Sequence, residues 1–209
     1  MQNMNSKIKS SEEIDLIKEK IPEDGINLKQ LIEELGTNGI FLLTIILTAP
    51  FIIPASIPGS SLPFGILIIL LQLSSLKNNK PYLPKKIVEY KISKEHMETI
   101  FNALEKFMKF IERFIKPRGK FMSSHKNIQQ INCIMIMCLA FLLLLPLPIP
   151  FTDFLPATGI LLLTFGSMEK DGLLVILGYL MFFVSVIYML SFSYAGWIGI
   201  KLILAKFNI

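Results

Sequence analysis

Charge is what this sequence has least of: Asp, Glu, Lys and Arg make up 18% of its 209 residues, while hydrophobic types make up 52%. An ordinary soluble domain carries about a quarter charged residues, so that class is excluded and a membrane protein is expected. Cysteine is nearly absent too. Cys133 and Cys138 sit in an apolar run with no companion His or Cys cluster, which removes a disulfide framework and a structural zinc site. The two histidines, His96 and His125, lie far apart with no ligand pattern around either, so no metal is expected. There is no Gly-rich phosphate loop, nucleophile elbow or dinucleotide fingerprint. ATP-driven and hydrolytic activities lose their usual signatures, no catalytic residue and no cofactor is assigned, and the expected role is non-enzymatic. The first 36 residues also lack an apolar stretch behind a basic start, so no cleavable signal is expected.

What is present is a series of uncharged runs. Between Glu34 and Lys77 lie 42 positions without a charge, whereas one helical crossing of a hydrocarbon core needs roughly 20. Pro50, Pro54, Pro58, Gly59 and Pro63 interrupt the run, which predicts one helix over Gly39 to about Ile53 and another over Phe64 to Leu76. A second run, Asn127 to Thr152, is stopped by Pro146, Pro148 and Pro150 and predicts a helix over about Ile128 to Leu145. Then come Phe154 to Met168, the charged turn Glu169, Lys170, Asp171, and an uncharged run from Gly172 to Ile200, the clearest spanning helix. If Phe154 to Met168 crosses, there are five spans; if it is re-entrant, there are four and the basic tail with Lys201 and Lys206 returns inside. The segment Lys77 to Lys126 carries 13 basic residues against five acidic ones, which assigns it to the cytoplasm and the N-terminal segment with it. The expected organisation is cytoplasmic N-terminal helices over 1–36, a membrane hairpin over 37–76, a basic cytoplasmic linker over 77–126 and a second membrane half over 127–209.

The soluble parts are expected to be helical. Ser10 with Glu13 has capping-box spacing, and Asn27 can cap a short helix over Leu28 to Leu35 that Gly36 ends. In the linker, apolar Met97, Ile100, Leu104, Phe107, Met108, Ile111, Phe114 and Ile115 recur at three- and four-residue spacing. Lys106, Lys109, Arg113 and Lys116 interleave with them, and Pro117 ends the pattern. Such a basic amphipathic helix lies on anionic lipid headgroups or docks a cytoplasmic partner. No nucleic-acid partner is expected.

The two Pro-rich breaks are alike. Ile57, Pro58, Pro63 and Gly65 precede Ile66 to Leu71, as Ile149, Pro150, Pro156 and Gly159 precede Ile160 to Leu163. Paired broken segments in two halves are the pattern of a transporter-like site near the membrane midplane. A candidate polar cavity then collects Ser60, Ser61 and Gln72 from one half with Thr152 and Asp153 from the other. Each has a plainer reading: Asp153 caps the helix that follows, Ser60 and Ser61 cap the one beginning near Pro63, and Gln72 pairs between helices. Glu169 and Asp171 read as a solvated turn, Ser191, Ala195 and Gly199 as a packing face within the monomer, and Trp197 near Lys201 as an interfacial anchor.

Leu31 to Gly36 (LIEELG), the run Ile57, Pro58, Gly59, Ser60, then Gln72, Pro81, Leu83 and Pro84, and finally Pro148 to Pro156 (PIPFTDFLP) with Glu169 to Gly172 (EKDG), together resemble the ExoD family. The resemblance covers about Leu28 to Leu190. It implies a bacterial integral inner-membrane protein associated with exopolysaccharide synthesis, and it brings no catalytic residue with it. Tyr82 stands where the family commonly has Trp, and Asp153 where a neutral Asn is expected. The resulting expectation is an all-α polytopic membrane protein with two Pro/Gly-broken hairpin halves joined by the basic linker. Its role would be that of a carrier or translocation helper for an anionic or lipid-linked precursor, working with envelope polysaccharide machinery. The alternative is a non-catalytic scaffold for a glycosyl-transfer assembly, and a membrane-embedded enzyme using Asp153 ranks behind both.

Overall fold

The computed structural model describes residues 26–27, 37–52, 60–77, 91–92, 102, 126–145 and 151–206. Among them are five helices: α1 (Thr37–Thr48), α2 (Leu62–Leu76), α3 (Lys126–Leu143), α4 (Phe154–Met168) and α5 (Gly172–Lys206). The fold is all-α in its body. One short exception stands against the expectation that the parts outside the apolar runs are wholly helical: β1 (Ile26–Asn27) pairs antiparallel with β2 (Lys91–Ile92). The pair ties the N-terminal segment to the central one. The amphipathic stretch with Lys106, Lys109, Arg113 and Lys116, and the helix expected over Leu28 to Leu35, lie outside the described residues.

Proline decides where the helices stop. Pro50 has no N–H and restricts Ala49 before it, so α1 tightens into a 3-10 turn over Ala49–Ile52 instead of running on to Ile53. Pro146 acts likewise on α3, which ends at Leu143 and not Leu145. The last bonds there are three-residue ones, Leu144 N–H to the Phe141 carbonyl and Leu145 N–H to that of Leu142. At the other termini the prolines lie inside the first turn, where a missing N–H costs little: Pro63 in α2 and Pro156 in α4. α5 has no such stop and passes Ile200 to reach Lys206.

α1 packs against α2 and α4, and α3 against α2 and α4, which closes a ring of four; α5 lies outside it against α4 and α3. Ile68, Ile136, Leu139, Ala140, Leu143, Ile160, Leu163 and Val175 form the buried centre. Close approach needs small residues. A Cβ on Gly65 would meet Leu144 Cδ2 at 2.8 Å and the Ala140 carbonyl oxygen at 2.9 Å, and one on Gly166 would meet the Val175 backbone nitrogen at 2.8 Å. Hydroxyls are satisfied within the helices, Thr44 Oγ1 donating to the Ile40 carbonyl and Thr164 Oγ1 to that of Ile160.

Gly172–Ile198 is long and apolar enough to cross a membrane, and Gly39–Ile52, Leu62–Leu76, Asn127–Leu143 and Phe154–Met168 are shorter apolar helices. At 1.5 Å per residue, the 15-residue helices α2 and α4 span about 22 Å. From Leu190 to Ile198 α5 is bare, with Leu190, Tyr194 and Trp197 all exposed. That corrects the packing-face reading of its small residues: Ser191 and Ala195 are exposed, not packed within the monomer. Lys201 Nζ lies 5.3 Å from the centre of the Trp197 ring, as in an interfacial anchor.

Candidate functional site: the junction of two broken hairpins

Ser61 is the residue before α2 and Asp153 the residue before α4, and they meet. The Ser61 hydroxyl lies 2.7 Å from the Leu143 carbonyl oxygen at the end of α3 and 3.3 Å from Asp153 Oδ1. Ser61, Thr152 and Asp153 are all buried. Two helix starts and one helix end therefore converge on a single carboxyl group. The backbone beside it is strained: Phe151 has φ 64, a left-handed conformation costing a non-glycine residue of the order of 1–2 kcal/mol.

Asp153 occupies the N-cap position without capping, which corrects the capping reading. The reason is a shortage of donors. An N-cap side chain accepts from the second or third helical N–H. In α4 the third residue is Pro156, which has none, and the second, Leu155, already gives its N–H to the Phe151 carbonyl at 3.2 Å. Ser61 likewise makes no side-chain cap, and Pro63 deletes a donor in α2. Its carbonyl takes the first helical bond, from Gly65 N–H at 2.8 Å, while its hydroxyl turns across to α3.

The five expected cavity residues separate. Ser61, Thr152 and Asp153 gather at the junction, and Ser60 beside them is exposed. Gln72 is eleven residues along α2 from Ser61, about 16 Å away by helical rise, and donates through Nε2 to Thr44 Oγ1 of α1 at 3.0 Å. The length of α2 thus sets Gln72 apart from the other four, and its side chain pairs with α1. An apolar groove of about 370 Å³ opens between α2, α3 and α5, walled by Ile69, Phe141, Phe182 and their neighbours. It offers no chemistry to a polar substrate.

Both breaks that build the junction lie inside a region shared with a known family. The family described as "Exopolysaccharide synthesis, ExoD" matches residues 10–191. This chain belongs to the ExoD family. It is similar to Protein ExoD of Rhizobium meliloti, 37% identical over 172 residues, which cover 82% of this chain and 72% of that one. An uncharacterized protein of Synechocystis is 29% identical over 172 residues, covering 78% of this chain and 79% of its own. No solved structure matches the chain. ExoD membership points to involvement in exopolysaccharide synthesis and, with the long apolar α5, suggests a membrane protein.

A polar connection that sequence reading missed lies toward the opposite end of the ring. Asn132 of α3 donates to Ser167 Oγ of α4 at 2.8 Å and accepts from the Tyr179 hydroxyl of α5 at 2.6 Å. Asn132 stood alone among apolar residues between Ile131 and Ala140, and that isolation was the available signal. The turn between α4 and α5 is also not the solvated tip expected. Asp171 is buried, its Oδ1 accepts from Leu173 N–H at 2.9 Å, and its own N–H reaches back to the Gly166 carbonyl at 3.0 Å. With Lys170 at φ 55, this is a Schellman ending for α4 followed at once by an N-cap for α5. Among the described residues no group of acidic, His or Cys side chains could hold a metal.

Proposed function

We propose that this protein is a multi-pass inner-membrane component of exopolysaccharide production. It acts there, without catalysing a covalent step, as a carrier or translocation helper for an anionic or lipid-linked precursor. The observation that carries the reading is the junction: two Pro-broken helices start side by side, with a buried carboxyl between them. Broken helices that expose backbone groups at depth are how membrane carriers build polar sites. Family membership supplies the pathway. The basic segment 77–126 supplies attraction to anionic headgroups, at about 1 kcal/mol per basic residue near the surface.

In this reading the N-terminal segment and residues 77–126 are cytoplasmic, and α1 to α5 all cross. The β1–β2 pairing supports it, since it requires both segments to lie on one side, with two crossings between. The matched length of α2 and α4 favours α4 as a full span alongside α2. Single cysteines near Asn78 and Ser123 are expected to be labelled from the cytoplasmic side only, and a reporter after Ile209 to report from outside. Labelling at either cysteine from outside overturns the orientation.

The functional test is precursor distribution. In a strain lacking the protein, polysaccharide output falls while precursor accumulates at the cytoplasmic leaflet, and the intact gene restores both. Output lost without precursor accumulation, together with co-purification of glycosyl-transfer proteins that disappears when Lys106, Lys109, Arg113 and Lys116 become Glu, favours the scaffold instead.

A further inference from the structure

Ser61 has one hydroxyl hydrogen and two acceptors within reach. The Leu143 carbonyl is 2.7 Å away and Asp153 Oδ1 is 3.3 Å away. An ionised carboxylate draws a hydroxyl to about 2.5–2.7 Å and outcompetes a neutral carbonyl. Here the order is reversed: the short bond goes to the carbonyl and the long contact to the carboxyl. The Ser61 hydrogen is therefore committed to Leu143, and what remains for Asp153 is the lone pair on Oγ. Only a neutral acid has a hydrogen to place there.

We propose that Asp153 is a proton-binding site whose neutral acid donates to Ser61 Oγ. The resulting relay from Asp153 through Ser61 to the Leu143 carbonyl locks the starts of α2 and α4 to the end of α3. The surroundings agree. From Leu35 to Leu76 and from Asn127 to Met168, the stretches that hold both breaks and α1 to α4 apart from Lys126 at the far start of α3, the sequence has no other Asp, Glu, Lys, Arg or His. On α5, the register set by Gly166 against Val175 and Gly178 against Leu163 brings Tyr188, whose ring packs on Phe192, to this level. The thiols of Cys133 and Cys138 lie further back along α3. Among the described residues no cation pairs the Asp153 carboxyl, and the helix dipole acts through donors that Pro156 and the Leu155 bond have removed. Asp153 precedes α4, outside the helical spans, and burial pushes its carboxyl above the ordinary range.

Release of the proton to solvent leaves the carboxylate and the Leu143 carbonyl competing for one hydrogen. A carboxyl whose folded value is raised contributes stability that is fully present below its unfolded value and is lost as pH rises through the folded value. The lock is thus closed in acid and loosens toward alkaline pH. This inference goes beyond the carrier reading, since the junction responds to protons whether or not a precursor passes it.

Infrared difference spectra of the full chain in phospholipid vesicles, taken across an acid-to-alkaline titration, test it. The expected result is one protonated-carboxyl band that survives above the ordinary carboxylate range and is absent from Asp153→Asn. Ser61→Ala keeps the carboxyl but removes its acceptor, and is expected to move the same band to higher frequency. Identical spectra for the wild type and Asp153→Asn, or a band indifferent to Ser61→Ala, overturn the proposal. If Asp153→Asn does not insert, the Ser61→Ala spectrum decides alone. Precursor distribution is scored separately in cells, so an intact band with unaltered precursor sinks the carrier reading and leaves the proton site standing.

Discussion

Asp153 and Asp171 are two buried aspartates at equivalent positions, each directly before a helix, and the structure uses them in opposite ways. Asp171 accepts a cap bond from Leu173 N–H at 2.9 Å and closes the α4–α5 turn. Asp153 accepts none from α4 and reaches across to another hairpin. The difference is made by the residues that follow. After Asp171 come Gly172, Leu173 and Leu174, all with N–H groups; after Asp153 the third residue is Pro156. A proline placed where a cap needs its donor turns a local stop signal into a carboxyl that can engage another hairpin. The same contrast extends to the two ends of the ring. Toward the turn end, Asn132, Ser167 and Tyr179 share well-formed bonds, while at the break end one hydroxyl hydrogen lies between two acceptors.

The largest expected effect tests whether the turn end is the rigid one. Gly166→Val drives a Cβ against the Val175 backbone nitrogen, which cannot rotate away. Overpacking of this kind costs typically 1–3 kcal/mol, so the thermal midpoint in detergent and the inserted yield should both fall sharply. Unchanged yield would mean that the α4–α5 hairpin is looser than its geometry.

Asp171→Ala removes a working cap and is expected to cost about 1–2 kcal/mol in thermal or denaturant unfolding. Asp153→Asn, at the position with no cap bond, is expected to cost less than about 0.5 kcal/mol near neutral pH while flattening the dependence of stability on pH. Equal losses at the two sites would erase the distinction between them.

Tyr179→Phe leaves Asn132 Oδ1 without the 2.6 Å bond it accepts. The expected loss is about 1 kcal/mol, partly recovered by a second change, Asn132→Leu, which removes the stranded acceptor together with its need. A double variant worse than the sum of the single ones would show that Asn132 serves α4 more than α5.

The smallest stability change, and the most direct conversion of one site into the other, is Pro156→Ala. It restores a backbone N–H at the third position of α4, where the Asp153 carboxylate can accept it. The midpoint for loss of the protonated-carboxyl band should move toward acid, by up to about one pH unit for a bond worth 1.4 kcal/mol. A midpoint that stays in place would mean that Pro156 is not what keeps Asp153 from capping.

Much of the architecture was legible because apolar length and proline are local signals. α4 was read to its observed ends, and α2 and α3 to within two residues, since a helix must stop where N–H groups run out. The junction was half legible. Ser61, Thr152 and Asp153 stand out in the sequence as polar residues beside breaks, but Gln72 stands out with them, because sequence position carries no depth. Pro156, three residues past Asp153, could have ruled out the cap in advance. Asp171 was read as solvated because charge in a short turn usually is; its burial follows from the Schellman ending, which folds the turn back onto α4.

By itself, then, the sequence determined the family, the apolar helices, their proline stops and the single carboxyl in the stretches Leu35 to Leu76 and Asn127 to Met168, all of them consequences of composition and backbone chemistry at one place along the chain. Only the tertiary structure decided that the two breaks touch, that Leu143 supplies the competing acceptor for Ser61, and that Gln72 belongs to Thr44. These are contacts between residues 28 to 92 positions apart. Their partners are chosen by how four helices close into a ring, and no local pattern records that choice.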